Sequence, residues 1–417
     1  MLTHLQVADF KSIGDKGIEI HPKPLTVLTG PNGAGKSSLL EAICLLSQTI
    51  SYPSPRIDGG EYVRYSSPQS FLYHGDLSRA FQISLTIDAS RSQGSGYFPG
   101  FFYSYKYSPN EVIQRVLFES KEVVTLTSGP SNPSYTVKDR RVEASPSVDT
   151  RILFHPTTFS PSFSSYPPPK DDFEMFQVAQ KIQGEITSFL TEKFFFISAF
   201  RGASKFFLEA QSGIDPRWVG TDGSATNHIL AKIFGSRLYN EEAERIASWA
   251  DRFSLGGLKA GWAGGGRLKS DYVDPVLKSV LETPLASHGS RQALTFLTQV
   301  FWSKPGTTLV IEEPEISLHP ESQTLLPLLF AEATRRGVQI VITTHSPFVV
   351  LSLWKPVTEK MISSQEIAVY HVEKGNDGSL AKSLQVGSDG NLKEWVPSFS
   401  ATESRLLKEF MEKVPTQ

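Results

Sequence analysis

Residues 30–37 read GPNGAGKS, and this spacing of glycines, lysine and serine suits one kind of chemistry. Gly30, Gly33 and Gly35 let the backbone turn tightly, so that successive N–H groups point inward at an anion. Pro31, Asn32 and Ala34 complete the loop between them. Lys36 reaches the β and γ phosphates of a nucleotide, and the Ser37 hydroxyl is a ligand for Mg²⁺. Ser38 follows in the first turn of a helix whose positive end faces the phosphates. The loop predicts a site for a nucleoside triphosphate with Mg²⁺.

A second stretch, LVIEEPEISLHP at 309–320, ends an apolar run in two adjacent glutamates. Neighbouring carboxylates at a buried strand end repel each other and lose hydration, so something there must favour both. Beside a phosphate cradle the pair has two tasks. Glu312 is placed to hold the magnesium, and Glu313 to face the γ-phosphate and polarise the attacking water. A third run, VQIVITTHSP at 338–347, ends in His345, placed to touch the γ-phosphate. Lys36, Glu313 and His345 are thus the expected catalytic group, with Ser37 and Glu312 as metal ligands.

Strands and helices must position these groups. LTVLT ends at Gly30, and SSLLEAICLLSQ carries Leu39, Leu40, Ile43 and Leu46 on one helical face, which supplies the strand–loop–helix setting. LQVADF alternates as a strand. From 51 to 170 Ser, Pro, Gly and aromatics dominate; FQISLTID, RVLFE, EVVTLTS and SYTVKD read as short strands, and SPSFSSYPPPK (160–170) as a surface loop or linker. Further on, the pattern predicts a helix over 171–192, a strand at FFFIS, helices over 225–253 and a glycine-rich surface hairpin or loop over 255–270. The last third alternates helix 290–302, strand 308–311, helix 320–336 with a kink at Pro327, strand 338–342 and helix 400–412, opened by Ser400 and Glu403 as a capping box. Such alternation predicts an α/β fold with a mixed or parallel sheet flanked by helices.

The bulk properties narrow the class. With 417 residues, 39% hydrophobic and a formal net charge of −2, the chain is long enough for one large domain or two ordinary ones. The charge balance gives no support to a protein that coats nucleic acid by charge alone. Cys44 is the single cysteine, which excludes an internal disulfide framework; between Ile43 and Leu45 it reads as a core thiol. No apolar stretch approaches a membrane span, and the start MLTHLQVADFKS has no secretory pattern, so a cytoplasmic protein is expected.

Together the three motifs resemble the ATPase heads of the ABC/SMC-like, AAA-family branch, with the texture of the RecF, SMC and OLD families. FKSIGDKGIEIHPKPLTVLTGPNGAGKSSLLEAI looks like their N-terminal strands and Walker A, TLVIEEPEISLHPESQ like Walker B and the D-loop, and ITTHSP like their switch histidine. The resemblance covers 1–47 and 285–350, extends over 194–285, where VGTDGSATNHILAKI is familiar, and is not seen over 90–170. It implies a signature motif before Walker B, met by ASHGSRQAL at 286–294, where Ser287 and Gly289 would touch the γ-phosphate held by another subunit. His288 departs from the small residue usual there, and a plain helix N-cap is the alternative reading. Lys11 and Ser12 match the family's FKS and are carried over as phosphate contacts; His74 is the best match for the switch-region polar residue.

The resemblance implies a P-loop ATPase head with a compact β-rich and helical insert. The expected division is 1–90 for the head's N-terminal part, 91–200 for the β-rich insert, 201–284 for a helical lobe and 285–417 for the head's C-terminal part. The chain lacks the coiled coils of SMC proteins, and its tail lacks the D-x-D pair of the OLD Toprim nuclease domain. Two readings follow. In one, an ATP-hydrolysing homodimer acts as the sensor or regulatory subunit of a nuclease or toxin effector, as in phage defence. In the other, a RecF-like ATPase of DNA repair or recombination holds nucleic acid across the dimer, with KDRRVEA (138–144) and GGGRLKS (264–270) as the basic stretches.

Overall fold

Strand β3 (Leu25–Thr29) is buried at every residue, as a strand covered on both faces must be. Its side chains alternate between two cores: Leu25 and Val27 pack on one side, Leu28 on the other. The same alternation runs through β15 (Thr308–Glu312), β16 (Gln339–Thr344) and β10 (Phe194–Ile197). These strands pair in parallel, and with β17 (Ile367–Gly375) and the antiparallel β18 (Gly378–Leu384) they form a six-stranded sheet in the order β10-β15-β16-β3-β17-β18. The computed structural model describes residues 1–50, 55–88, 101–118, 121–128, 134–137, 140–143, 184–201, 208–209, 216–263, 267–399, 405 and 408.

One face of this sheet is covered by helices α2 (Thr226–Phe234), α3 (Asn240–Arg252), α4 (His288–Trp302) and α6 (Leu326–Arg335). The other is covered by α1 (Lys36–Thr49), which lies between it and a second, antiparallel sheet. The expected face of Leu39, Leu40, Ile43 and Leu46 is buried, but so is nearly all the rest of α1, including Cys44. The antiparallel sheet runs β2-β1-β4-β5-β6-β7-β8-β9, from Ile18–Ile20 and Leu2–Ala8 through Phe81–Ile87, Phe101–Ser108, Glu111–Phe118, Lys121–Ser128 and Ser134–Val137 to Arg140–Glu143. Gln339 ties the sheets together: its Oε1 accepts from Leu2 N (2.9 Å) and Thr308 Oγ1 (2.7 Å), and its Nε2 donates to Leu2 O (2.7 Å).

Three expectations need correction. The strands after residue 100 prolong the head's own antiparallel sheet through the β4–β5 pairing, and β10 sits at the edge of the parallel sheet; a break at 90 and another at 200 cut across both. The lobe over 201–284 is helical only in part, since β12 (Gly256–Ala263) and β13 (Arg267–Val273) form an antiparallel hairpin there, joined by β11 (Leu208–Glu209) and β14 (Val280–Glu282). Finally, residues 320–336 form two helices, α5 (Pro320–Gln323) and α6, not one kinked helix. Pro327 has no N–H to give, and its ring would strike the carbonyl four residues back, so the chain breaks first and Pro327 sits in the opening turn of α6. The expected helix 400–412 and most of 171–192 lie outside the described residues.

Candidate nucleotide site

The carboxyl ends of β10, β15, β16, β3 and β17 meet on one edge of the parallel sheet, the place where open α/β sheets bind ligands. The loop after β3 wraps there because glycine is required. Gly30 has φ +145, and a Cβ on it would collide with the Val372 carbonyl; Gly35, with φ +109, caps α1 where a Cβ would strike Ser379. Lys36, buried in the first turn of α1, folds back so that its ammonium donates to the carbonyls of Gly30 (2.9 Å) and Pro31 (3.0 Å). Burial pulls its pKa down to about 8, against the opposing pull of Glu313, Glu315 and Glu312.

The two adjacent glutamates part company. Glu312, buried at the end of β15, lies beside the Ser37 hydroxyl and the Ala199 backbone; burial pushes its carboxyl above the usual range, against their opposing pull. Glu313 instead faces His345, whose Nε2 lies 3.2 Å from its Oε1; that bond holds the Glu313 carboxyl below its ordinary value. The strand ends in a turn here: Glu313 takes φ +41, a left-handed conformation that strains a non-glycine residue by about 1–3 kcal/mol. Its N–H is anchored on Thr343 O at 3.0 Å. Pro314 follows, and then Glu315, a buried carboxylate that accepts from Thr344 Oγ1 and His345 N, both at 2.7 Å. Glu315 therefore fixes the backbone from which His345 projects.

Other expected site residues are placed differently. Lys11 turns its ammonium to Glu41 on α1 (2.6 Å), a carboxylate that also accepts from Tyr65 (2.6 Å), so the lysine is engaged away from the loop mouth. Ser12 and Ser38 share a hydrogen bond at 3.1 Å, and Ser379 donates to Ser12 at 2.8 Å, making a hydroxyl row along the flank of the loop. Asn32 and Gly33 are exposed at its crest. His74 packs on Tyr73 in the turn beside β1, where its charged neighbour is Asp76. The residue that reaches the glutamate pair from the neighbouring strand is Arg201, four residues past the end of β10, which the sequence reading missed. It is 4% exposed and donates to the carbonyls of Ser198 (3.0 Å), Glu312 (2.6 Å) and Glu313 (2.9 Å). The buried run FFFI, followed by Ser198 and then Ala199 and Phe200 before Arg201, is a weaker form of the signal that marks β15. Lys374, at the end of β17, also went unread; its ammonium stands 3.8 Å from where a Cβ on Gly33 would be.

Ser287 caps α4 and accepts from Ser290 N at 3.1 Å, so the plain N-cap is present in the fold. Gly289 packs so closely on the Ser317 carbonyl that a Cβ would clash, and His288 Nδ1 lies 3.1 Å from Ser317 Oγ. The start of α4 is thereby fastened to the segment after Glu315. Neither Ser287 nor Gly289 hydrogen-bonds the 30–37 loop among the described residues.

The donor set fits a magnesium nucleotide: a hydroxyl and a carboxylate for a hard cation that keeps its waters and uses phosphate oxygens, and N–H groups with a lysine for the phosphates. No cluster of three or more acidic, His or Cys ligands placed to hold a metal occurs among the described residues. Fold and site together define the α/β P-loop fold of an ABC-type ATPase head.

Comparison with known proteins agrees. A family model described as "AAA domain" matches residues 4–139, and one described as "AAA domain, putative AbiEii toxin, Type IV TA system" matches residues 271–352. The first reaches well into 90–170, where the sequence showed no resemblance. An OLD nuclease from Thermus scotoductus is 38% identical over 95 residues, 23% of this chain and 16% of that protein. The DNA replication and repair protein RecF of Erwinia tasmaniensis is 33% identical over 95 residues, 22% of this chain and 25% of that one. Among solved structures, an SMC head bound to the C-terminal winged-helix domain of ScpA matches with TM-score 0.50 at 13% identity, covering 92% of this chain and 98% of that one. The two AAA-domain matches, the partial likeness to OLD nuclease and RecF, and the SMC-head fold support an ABC/SMC-like ATPase. The matched stretches span a quarter or less of the curated relatives. No helix among the described residues is long and apolar enough to cross a membrane.

Proposed function

We propose that this chain binds ATP with Mg²⁺ in the 30–37 loop and hydrolyses it, and that two copies close around the nucleotides. The observation that carries the reading is the division of the glutamate pair, one carboxylate buried beside Ser37 and the other 3.2 Å from His345 Nε2. Glu312 and Ser37 would hold the metal, which supplies charge neutralisation at the phosphates when bound. Glu313, kept ionised, would orient and polarise the attacking water, with His345 beside the γ-phosphate. Ser287 and Gly289, at the positive end of α4, would complete the partner's site. On this reading ATP-driven closure is the output, delivered to an effector such as a nuclease or toxin. The family description that names an AbiEii toxin and the OLD nuclease relative support an effector of that kind, and a role in phage defence is part of this proposal. The likeness to RecF favours a second reading, a DNA-bound ATPase of repair; its expected basic stretches lie partly outside the described residues.

Ser287→Arg tests the closure. ATP affinity of the isolated subunit should stay within about threefold of wild type, while turnover and the ATP-dependent increase in mass by light scattering disappear, because bulk and charge enter where the opposing γ-phosphate docks. Wild-type turnover in this variant would reduce the motif to its capping role.

The Lys36 environment adds a pH dependence. Its ammonium is the form that meets phosphate, and its pKa in the free protein is about 8. Above that pH, binding must take up a proton, so apparent ATP affinity should fall toward about tenfold per pH unit. Calorimetry at pH 7 to 9.5 in buffers of different ionisation enthalpy reads both the fall and the uptake. A flat affinity without proton uptake would contradict the buried-ammonium geometry.

A further inference from the structure

Arg201 is a buried cation whose hydrogen bonds go to carbonyls and not to carboxylates. One Nη donates to Ser198 O and Glu312 O, the other to Glu313 O. Two of these belong to consecutive peptides on either side of the point where β15 stops and Glu313 turns left-handed. A strand continuing past Glu312 would send successive side chains to opposite faces. Holding both carbonyls from one planar fork keeps the chain from relaxing into that extended path, a task a point-like ammonium performs poorly. The guanidinium also lies over the Phe296 ring of α4, 5.5 Å from its centre, so the fork is itself held in place by the helix that Ser287 opens. Its charge faces Glu312, Glu313 and Glu315, the three carboxylates gathered at this turn.

We propose that Arg201 is a positioning residue for hydrolysis: by clamping the Glu312 and Glu313 carbonyls it sets the turn that aims the Glu313 carboxylate at the water. The proposal rests on the ATPase reading above and deepens it. Arg201 touches neither phosphate nor metal in this role, so it acts on the rate and not on affinity.

The test compares Arg201→Gln, Arg201→Lys and the double variant Arg201→Gln/Glu313→Gln, measuring phosphate release and, by calorimetry, the Kd for Mg²⁺-ATP. Arg201→Gln should lower kcat about a hundredfold, the loss typical of a slightly misplaced catalytic group, with Kd within about threefold of wild type. Arg201→Lys should recover about a tenth of the wild-type rate. Because Arg201 works through Glu313, the double variant should turn over no more slowly than Glu313→Gln alone. Three results would overturn the proposal: losses that multiply in the double variant, a Kd that rises in step with the fall in kcat, or Lys and Gln variants that both fail to fold at 25 °C. A wild-type protein that binds ATP without hydrolysing it would strike the underlying function instead, and is recognised before any variant is made.

Discussion

Replacing Glu313 by Gln lowers ATP turnover by at least about a hundredfold while Mg²⁺-ATP still binds. Glutamine keeps the size of the side chain and its hydrogen bond with His345, but it carries no charge with which to polarise a water. In the wild type the carboxylate is already ionised at neutral pH, since the His345 hydrogen bond draws its pKa down. The metal side should be untouched, because Glu312 and not Glu313 lies beside Ser37. ATP should therefore accumulate in a closed dimer, seen as a doubling of mass by light scattering. Glu312→Gln should behave in the opposite way, with Mg²⁺-dependent binding itself weakened. Hydrolysis surviving both substitutions would make the pair an ordinary strand end.

Lys36→Ala should weaken ATP binding by about a hundredfold or more, since a charge-assisted hydrogen bond to phosphate contributes roughly 1.5–3 kcal/mol and the ammonium provides more than one. The protein should nevertheless remain folded. A lysine whose folded-state pKa is lowered to about 8 by burial opposes the fold at neutral pH, because the unfolded chain binds the proton more tightly. Melting without nucleotide should accordingly be no lower than in wild type. Unchanged affinity in calorimetry would remove the loop from the nucleotide site altogether.

What could be read from the sequence is what is local along it. Gly30, Gly35, Lys36 and Ser37 act within one loop, so spacing alone carries their geometry. The glutamate pair and His345 each close an apolar run, and the parallel pairing of β15 with β16 brings those strand ends together. The pairing of Lys11 with Glu41 is not legible in the sequence, because Glu41 lies on a helix that meets Lys11 only in three dimensions. Arg201 escaped notice for the same reason: its three acceptors are backbone carbonyls, two of them more than a hundred residues away, and carbonyls leave no trace in a sequence. The Ser- and Gly-rich texture after residue 90 suggested a separate lobe, whereas the β4–β5 ladder makes it one sheet with β1. Pro327 was correctly seen as a disturbance, but a break before it relieves the clash better than a bend through it.

The position of β3 has a consequence for synthesis. The strand leading into the nucleotide loop lies between β16 and β17, so both its lateral neighbours are encoded on the order of three hundred residues after it. At about 5–20 residues per second of translation, Leu25–Thr29 waits roughly 15–60 s on the ribosome before a partner strand emerges. During that wait an apolar segment with two unpaired edges is a ready template for aggregation, and it needs a chaperone or the shelter of α1 and β1. The loop at 30–37 is framed only after β16 and β17 have been made and paired with β3. ATP can therefore stabilise the finished molecule but cannot guide the growing one.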